Sequence, residues 1–351
     1  MNLRGLHGGE IYDKNIDLDF SININPLGMP TNIIEALKLA IPLCESYPDS
    51  QSTELKELLA DRFHLPKDMF VIGNGAADII YRLAQALKPR KALLISPTFV
   101  EYERALQSID CDIEFYNLKA ENNFMLDEDY IVRLQASSNI DVVFICNPNN
   151  PVGKLYPKKY IDFIIELCEE KGIMCIVDES FMDFAVESAK YSVIDRIKTY
   201  KNLFILSTLT KMYAIAGIRI GYLMTSNFKL IEKINNVSQP WAVSIFAQKA
   251  GVAALKNINW AKDTALYVKT EREWLSTNLS ILGYKVYDSD VNYILFQGTN
   301  YNDLYEQLLK QRILIRHCNN FRGLNKTFYR IAVRTRNENE NLIKCITNSL
   351  H

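Results

Sequence analysis

The run from Ser207 to Tyr222 places one lysine, Lys211, beside the small hydroxyl residues Thr208 and Thr210, with an arginine, Arg219, eight positions further on. Such a run could hold an aldehyde cofactor covalently. An amine that condenses with an aldehyde must be partly deprotonated near neutral pH, and partial burial beside another cation lowers a lysine's pKa in that direction. Thr208, Thr210 and Arg219 could then hold a phosphate. Taken alone, the pattern is more often a surface lysine beside a glycine turn, so its meaning depends on the rest of the chain.

Four other stretches could do matching chemistry. In Gly73-Asn74-Gly75-Ala76-Ala77 the glycines let helix N-terminal amides approach an anion, although the spacing is neither that of a Rossmann turn nor that of a P-loop. Asp178 closes the apolar run that begins at Ile173, so its carboxylate would leave an apolar wall, a costly place unless a cation faces it. A protonated pyridine nitrogen would serve, as would an ordinary ion pair or helix cap. The loop Asn147-Pro148-Asn149-Asn150-Pro151-Val152-Gly153 is stiffened by prolines and presents amides that can donate to a phenolic oxygen. Phe99, two residues after Pro97, could stack on an aromatic cofactor or simply pack in the core.

The elements that position these loops follow from periodicity. Short apolar runs at 69–72, 92–96, 142–146, 173–178 and 203–207 alternate with amphipathic stretches such as 79–87 and 160–168. Strands apolar on both faces that alternate with helices imply an α/β fold with a mainly parallel sheet covered by helices. In such sheets the chemistry gathers at the strand carboxyl ends, where all five loops lie. Helical spacing also marks Ile33 to Ala40, and Leu55 to Phe63 after a Ser52-Thr53 cap. After about residue 225 helical patterns dominate, with a long one near 260–282. Short strands at 284–287, 293–296, 313–315 and 329–333 then mix with helices near 302–309 and 337–350, which suggests a small α+β domain closing over the crevice. The expected division is an N-terminal arm and part of the small domain over 1–44, a large cofactor-binding domain over 45–245 and a C-terminal small domain over 246–351.

Composition narrows the partners. Lys+Arg 40 against Asp+Glu 41 leaves a formal charge of −1, so no basic field recruits nucleic acid or an anionic membrane. A small molecule is the expected partner. The seven cysteines are scattered, odd in number and never in a C-x-x-C pair, which argues against a disulfide framework and a zinc site. No metal is expected. The residues after Met1 form no apolar signal core, and no apolar run approaches the ~20 residues of a membrane span, so the reading is cytoplasmic.

Taken together these loops resemble the fold-type I pyridoxal-phosphate enzymes of the aspartate aminotransferase superfamily, along essentially the whole chain. The resemblance implies a seven-stranded-type sheet sandwiched by helices and pyridoxal 5′-phosphate as cofactor, held by Lys211 as an internal aldimine. It further implies that Asp178 pairs with the pyridinium nitrogen, Asn150 bonds the phenolic oxygen and Phe99 stacks on the ring. The Gly75, Ala76 and Ala77 amides would hold the phosphate with Thr208, Thr210 and Arg219. Tyr47 matches a tyrosine that reaches the neighbouring subunit's site, which implies a homodimer.

Two families within this superfamily act on phosphorylated substrates: histidinol-phosphate aminotransferases and the threonine-phosphate decarboxylases of the cobalamin pathway. The stretches His7-Gly8-Gly9, Asp19 to Gly28, Pro97 to Glu103 and Arg316 to Leu324 resemble the decarboxylases, as does Phe181, where the aminotransferases usually carry tyrosine. By this resemblance His7, Gly8, Gly9, Asn25, Arg316 and Arg330 enclose a phosphorylated amino acid, and such a set suits a dianion. The nearby Arg334 and Arg336 either add to an anion site or face solvent. Departures from the usual pattern are Ser207, Ala216, Arg312, His317 and Arg322. The implied reaction is α-decarboxylation of O-phospho-L-threonine, and the alternative is transamination of histidinol phosphate or a related phosphorylated amine. A third reading, a non-catalytic ligand-sensing domain, would not need Lys211, Asp178 and Arg330 together.

Overall fold

The structure, a computed structural model, describes residues 7–298 and 303–349. Its centre is a seven-stranded sheet whose spatial order is Phe70–Gly73, Gly221–Met224, Leu203–Thr208, Met174–Asp178, Val142–Cys146, Lys91–Ser96 and Asp112–Asn117. Only Gly221–Met224 runs against its neighbours in that sheet. Along Val142–Cys146, Val143 and Ile145 enter one apolar cluster while Val142, Phe144 and Cys146 enter the other. This period-2 division buries both faces, which is why the strand reads as a continuous apolar run.

Two strands of this sheet were not expected. Asp112–Asn117 is a half-buried edge strand, and its polar-interrupted sequence lacks the apolar run of the central strands. Gly221–Met224 is four residues long and follows the irregular Lys211 loop, too short to show a period. The helix Thr53–Phe63 is also capped differently. Ser52 stands at the N-cap without a side-chain bond, and Asp49 instead accepts from the Gln51 and Thr53 amides.

A second, antiparallel sheet orders Arg316–His317, Phe328–Ala332, Tyr293–Gln297 and Lys285–Val286. The helix Trp260–Ile281 leads into it, and Leu304–Lys310 and Arg336–Ser349 pack together beside it. Two of the expected ends in this region, Asn302 and Leu350, lie outside the described residues. Ile313–Leu314 pairs in parallel with Leu18–Asp19 of the N-terminal arm rather than joining the antiparallel sheet. Arg312, in a left-handed conformation at φ 63, secures that junction through an ion pair to Asp17. Among the described residues no helix is long and apolar enough to cross a membrane.

Candidate active site

Because the strands carrying the predicted loops all point the same way, those loops meet at one edge of the sheet, where a cavity of about 440 Å³ opens. Lys211 follows the strand Leu203–Thr208 and is half-buried on the cavity wall. Burial, reinforced by the Arg219 and Arg330 cations, lowers its amine to about 8. Thr208 and Thr210 also line the cavity, their hydroxyl oxygens 2.9 Å apart, and Thr208 donates to the Ile220 carbonyl at 2.6 Å.

The turn into the helix Ala76–Leu87 faces Arg219. Gly75 sits at φ 85, and a methyl group there would collide with the Arg219 guanidinium. Its own amide donates to Gly73 O at 2.8 Å, so Gly75 contributes space rather than a donor, a correction to the expected set of three amides. Ala76 and Ala77, at the helix start, line the cavity. Opposite, Gly221 approaches so closely that a Cβ would lie 2.6 Å from the Ala76 amide nitrogen.

Asp178 ends its strand inside the apolar wall. Its Oδ2 accepts from the Tyr102 hydroxyl at 2.6 Å and its Oδ1 from the Ser180 amide at 2.9 Å. Burial pushes its carboxyl above the ordinary value, against the Ser180 and Tyr102 bonds and the Lys211 charge. Phe99 caps the helix Val100–Gln107 at the cavity edge.

The other end of the cavity is built by the small sheet and the arm. Arg316 and Arg330 are cross-strand partners, and both are buried. Arg330 donates to Asn150 Oδ1 at 2.6 Å and to the Ser21 carbonyl at 2.7 Å, while its Nε has no partner among the described residues. Burial lowers its guanidinium to about 10. Arg316 donates to Asn320 at 2.7 Å, and burial lowers its pKa too. His7 and Gly8 line the mouth, where His7 Nε2 lies 2.8 Å from Glu101 Oε1. Arg104 also donates to Glu101, and Tyr81 does so at 3.2 Å. Burial pushes the Glu101 carboxyl up, but the His7 and Arg104 bonds outweigh it and leave it below the usual value.

The profile of the family described as "Aminotransferase class I and II" matches residues 15–346. The chain belongs to that family. Class I and II aminotransferases are pyridoxal-phosphate-dependent, and the chain resembles threonine-phosphate decarboxylase of Salmonella typhimurium, with 35% identity over 95% of this chain and 91% of the relative. Among solved structures, histidinol-phosphate aminotransferase from Clostridium acetobutylicum superposes with a TM-score of 0.87 at 34% identity, covering 94% of this chain and 98% of that one. L-threonine-O-3-phosphate decarboxylase from Porphyromonas gingivalis gives 0.84 at 26% identity, over 95% and 99%. The α/β architecture with its mainly parallel sheet is the one expected.

The residues present fit the cofactor of this family. The room left by Gly75 beside Arg219, a lysine amine lowered to about 8 and a doubly held buried carboxylate answer its phosphate, aldehyde and ring nitrogen. Several expected residues lie elsewhere. Asn25 does not line the cavity: its amide donates to Met212 O at 2.7 Å and Thr264 Oγ1 at 3.0 Å, which holds the Lys211 loop from behind. Asn23, two residues earlier, lines the cavity instead, with a buried Oδ1 that has no partner among the described residues. Gly9, at φ 83, donates to Ser21 Oγ and shapes the arm. Tyr47 is 77% exposed and stacks on Trp241 at 4.2 Å, away from this chain's own cavity.

Arg334 and Arg336 join no anion site; they pair with Glu338 and Glu271. His317 stacks on Tyr329 and Arg322 lies over Phe115, both off the cavity wall. Cys318 is buried near Arg330 and Arg316, its thiol pushed up to about 11 by burial. Sequence reasoning missed Tyr102, Glu101 and Ser180. A signal existed for Tyr102, since Phe99 and Tyr102 lie one helical turn apart and so share a face.

Proposed function

We propose that this chain is a cytoplasmic, pyridoxal-phosphate-dependent decarboxylase that converts O-phospho-L-threonine to (R)-1-amino-2-propanol O-2-phosphate. The observation that carries the reading is the register of Arg316 opposite Arg330, two buried guanidiniums on adjacent strands. Like charges directly opposite one another destabilise a sheet, and a ligand with two anionic groups would relieve that repulsion. The 35% identity to a chain named threonine-phosphate decarboxylase supports the same substrate.

In this reading the Ala76 and Ala77 amides, Thr208, Thr210 and Arg219 would hold the cofactor phosphate, Asp178 its ring nitrogen, Asn150 its phenolic oxygen and Phe99 its face. Once bound, the cofactor supplies an electron sink that weakens the bonds at the substrate α-carbon. Arg330 grips the α-carboxylate with its planar fork, while Arg316, His7 and the Gly8 amide receive the substrate phosphate. An orientation about the Cα–N bond that aligned the carboxylate with that electron sink would make it the group that leaves, as carbon dioxide. Lys211, with its lowered pKa, delivers a proton to the α-carbon in its place. Tyr47, exposed and backed by Trp241, would complete the site of a second copy in a homodimer.

The second reading, transamination of histidinol phosphate, is favoured by the likeness to the Clostridium acetobutylicum aminotransferase and would use the same arginine pair. Incubation of the purified protein and cofactor with O-phospho-L-threonine separates them. Carbon dioxide release without a keto acid is expected, and turnover that strictly requires 2-oxoglutarate would sink the decarboxylase reading.

A further inference from the structure

Tyr102 is fully buried within the helix Val100–Gln107 and touches two groups that face the cavity from different elements. Its hydroxyl donates to Asp178 Oδ2 at 2.6 Å. Its ring meets Phe99 edge-on, with centroids 5.6 Å apart and planes at 83°, and stacks on Phe144 of the strand beside Asp178 at 5.0 Å. We propose that Tyr102 is a positioning residue that keeps the Asp178 carboxylate ionised and aimed into the cavity while bracing Phe99, so that one rigid unit grips the cofactor ring at its nitrogen and its face. This rests on the cofactor reading above and is independent of which substrate is used.

The physical need is plain. A carboxylate in an apolar wall reverts to its neutral form unless donors stabilise the charge, and a neutral carboxyl would be a poor partner for a pyridinium nitrogen. The titratable groups facing Asp178 are Tyr102, Cys146 from the adjacent strand, Lys211 and Tyr293 from the small sheet. Burial holds the protons on Cys146 and Tyr293, and the Cys146 thiol donates to Pro148 O. Burial likewise keeps Tyr102 in its phenol form, as a donor. The Ser180 amide donates to the other oxygen, so both carboxylate oxygens are held by donors from this chain.

The test measures pyridoxal-phosphate affinity of the full-length chain, freed of cofactor, by visible absorbance between pH 5 and 9. A hydrogen bond to a charged group is worth enough that Tyr102→Phe should bind the cofactor roughly tenfold more weakly at neutral pH. Because Asp178 then protonates at higher pH, the acid-side loss of affinity should move upward by about one pH unit. Tyr130→Phe is the control. It removes another buried tyrosine hydroxyl, one with no partner among the described residues, and should leave both readouts unchanged.

In an Asp178→Asn background, Tyr102→Phe should change affinity less than about twofold. A full tenfold loss there would assign the effect to packing and overturn the proposal, as would wild-type affinity and an unshifted profile in Tyr102→Phe itself. If Tyr102→Phe does not fold, 3-fluorotyrosine at position 102 keeps the ring and makes the hydroxyl a stronger donor. Affinity should then rise, and an unchanged or lower affinity would overturn the proposal. Wild-type protein that takes up no cofactor would instead overturn the cofactor reading.

Discussion

In the proposed reading Lys211 would act as a nucleophile only while its amine is unprotonated, and a pKa of about 8 makes that fraction small at pH 6.5 and large at pH 9. The rate of cofactor uptake should therefore rise through pH 8 and level off above it, as measured by stopped-flow absorbance. A rate independent of pH across that window would contradict the assignment. Lys211→Ala should lose both the visible cofactor band and turnover. The arginines act differently. Arg330→Lys keeps the charge but loses the fork that bonds Asn150 and the Ser21 carbonyl. It is expected to raise KM for the phosphorylated substrate at least tenfold, an effect of the size of one charge-assisted hydrogen bond and larger than the loss of cofactor affinity that follows from freeing Asn150. Loss of cofactor without a change in KM would move Arg330 out of the substrate site.

At the scale of elements, the turn before the helix Ala76–Leu87 is the point where backbone and side chain compete for space. Gly75→Ala introduces a β-carbon at φ 85 and against the Arg219 guanidinium. Strain at a positive φ costs about 1 kcal/mol, which should lower the melting temperature by a few degrees. Displacing Arg219 should weaken cofactor binding by a larger factor than that destabilisation would suggest. Calorimetry of the melt, paired with an absorbance titration, checks both, and unaltered binding would show that Arg219 is not needed where it lies. The same element explains why the site was only partly legible. A Gly-x-Gly turn between a strand and a helix announces an anion site, but whether each amide is available depends on local bonds, and the Gly75 amide is taken by Gly73 O.

At the scale of the molecule, the cavity is closed by segments from the two ends of the chain. Leu18–Asp19 pairs with Ile313–Leu314, and Ala332 donates to the Phe20 carbonyl at 2.8 Å, so the arm is stitched to the small sheet that carries Arg316 and Arg330. His7 reaches back to Glu101 on the large sheet's side. Removal of residues 1–9 should therefore leave cofactor binding intact and raise KM for the phosphorylated substrate several-fold. Steady-state kinetics and absorbance on the same preparation test this, and an unchanged KM would show that the arm does not belong to the substrate site. The exposed Tyr47–Trp241 stack makes a second prediction. Light scattering should give a dimer, and Tyr47→Ala should weaken cofactor binding when every copy carries it; a monomer with full cofactor affinity would remove Tyr47 from the site.

Five of the seven central strands and the loops at their carboxyl ends were legible in the sequence, because buried parallel strands must be apolar on both faces and chemistry-bearing residues stand out where such runs stop. Lys211, Asp178, Asn150 and Phe99 were legible for that reason. The sequence could not settle which asparagine of the arm faces the cavity: Asn23 lines it, whereas Asn25 is held by Met212 O and Thr264 Oγ1, partners that only the folded chain brings to it. Nor could it sort the C-terminal arginines. Arg316 and Arg330 meet through strand register, whereas Arg334 and Arg336 are neutralised by Glu338 and Glu271, and register and ion pairing exist only once distant segments are in contact.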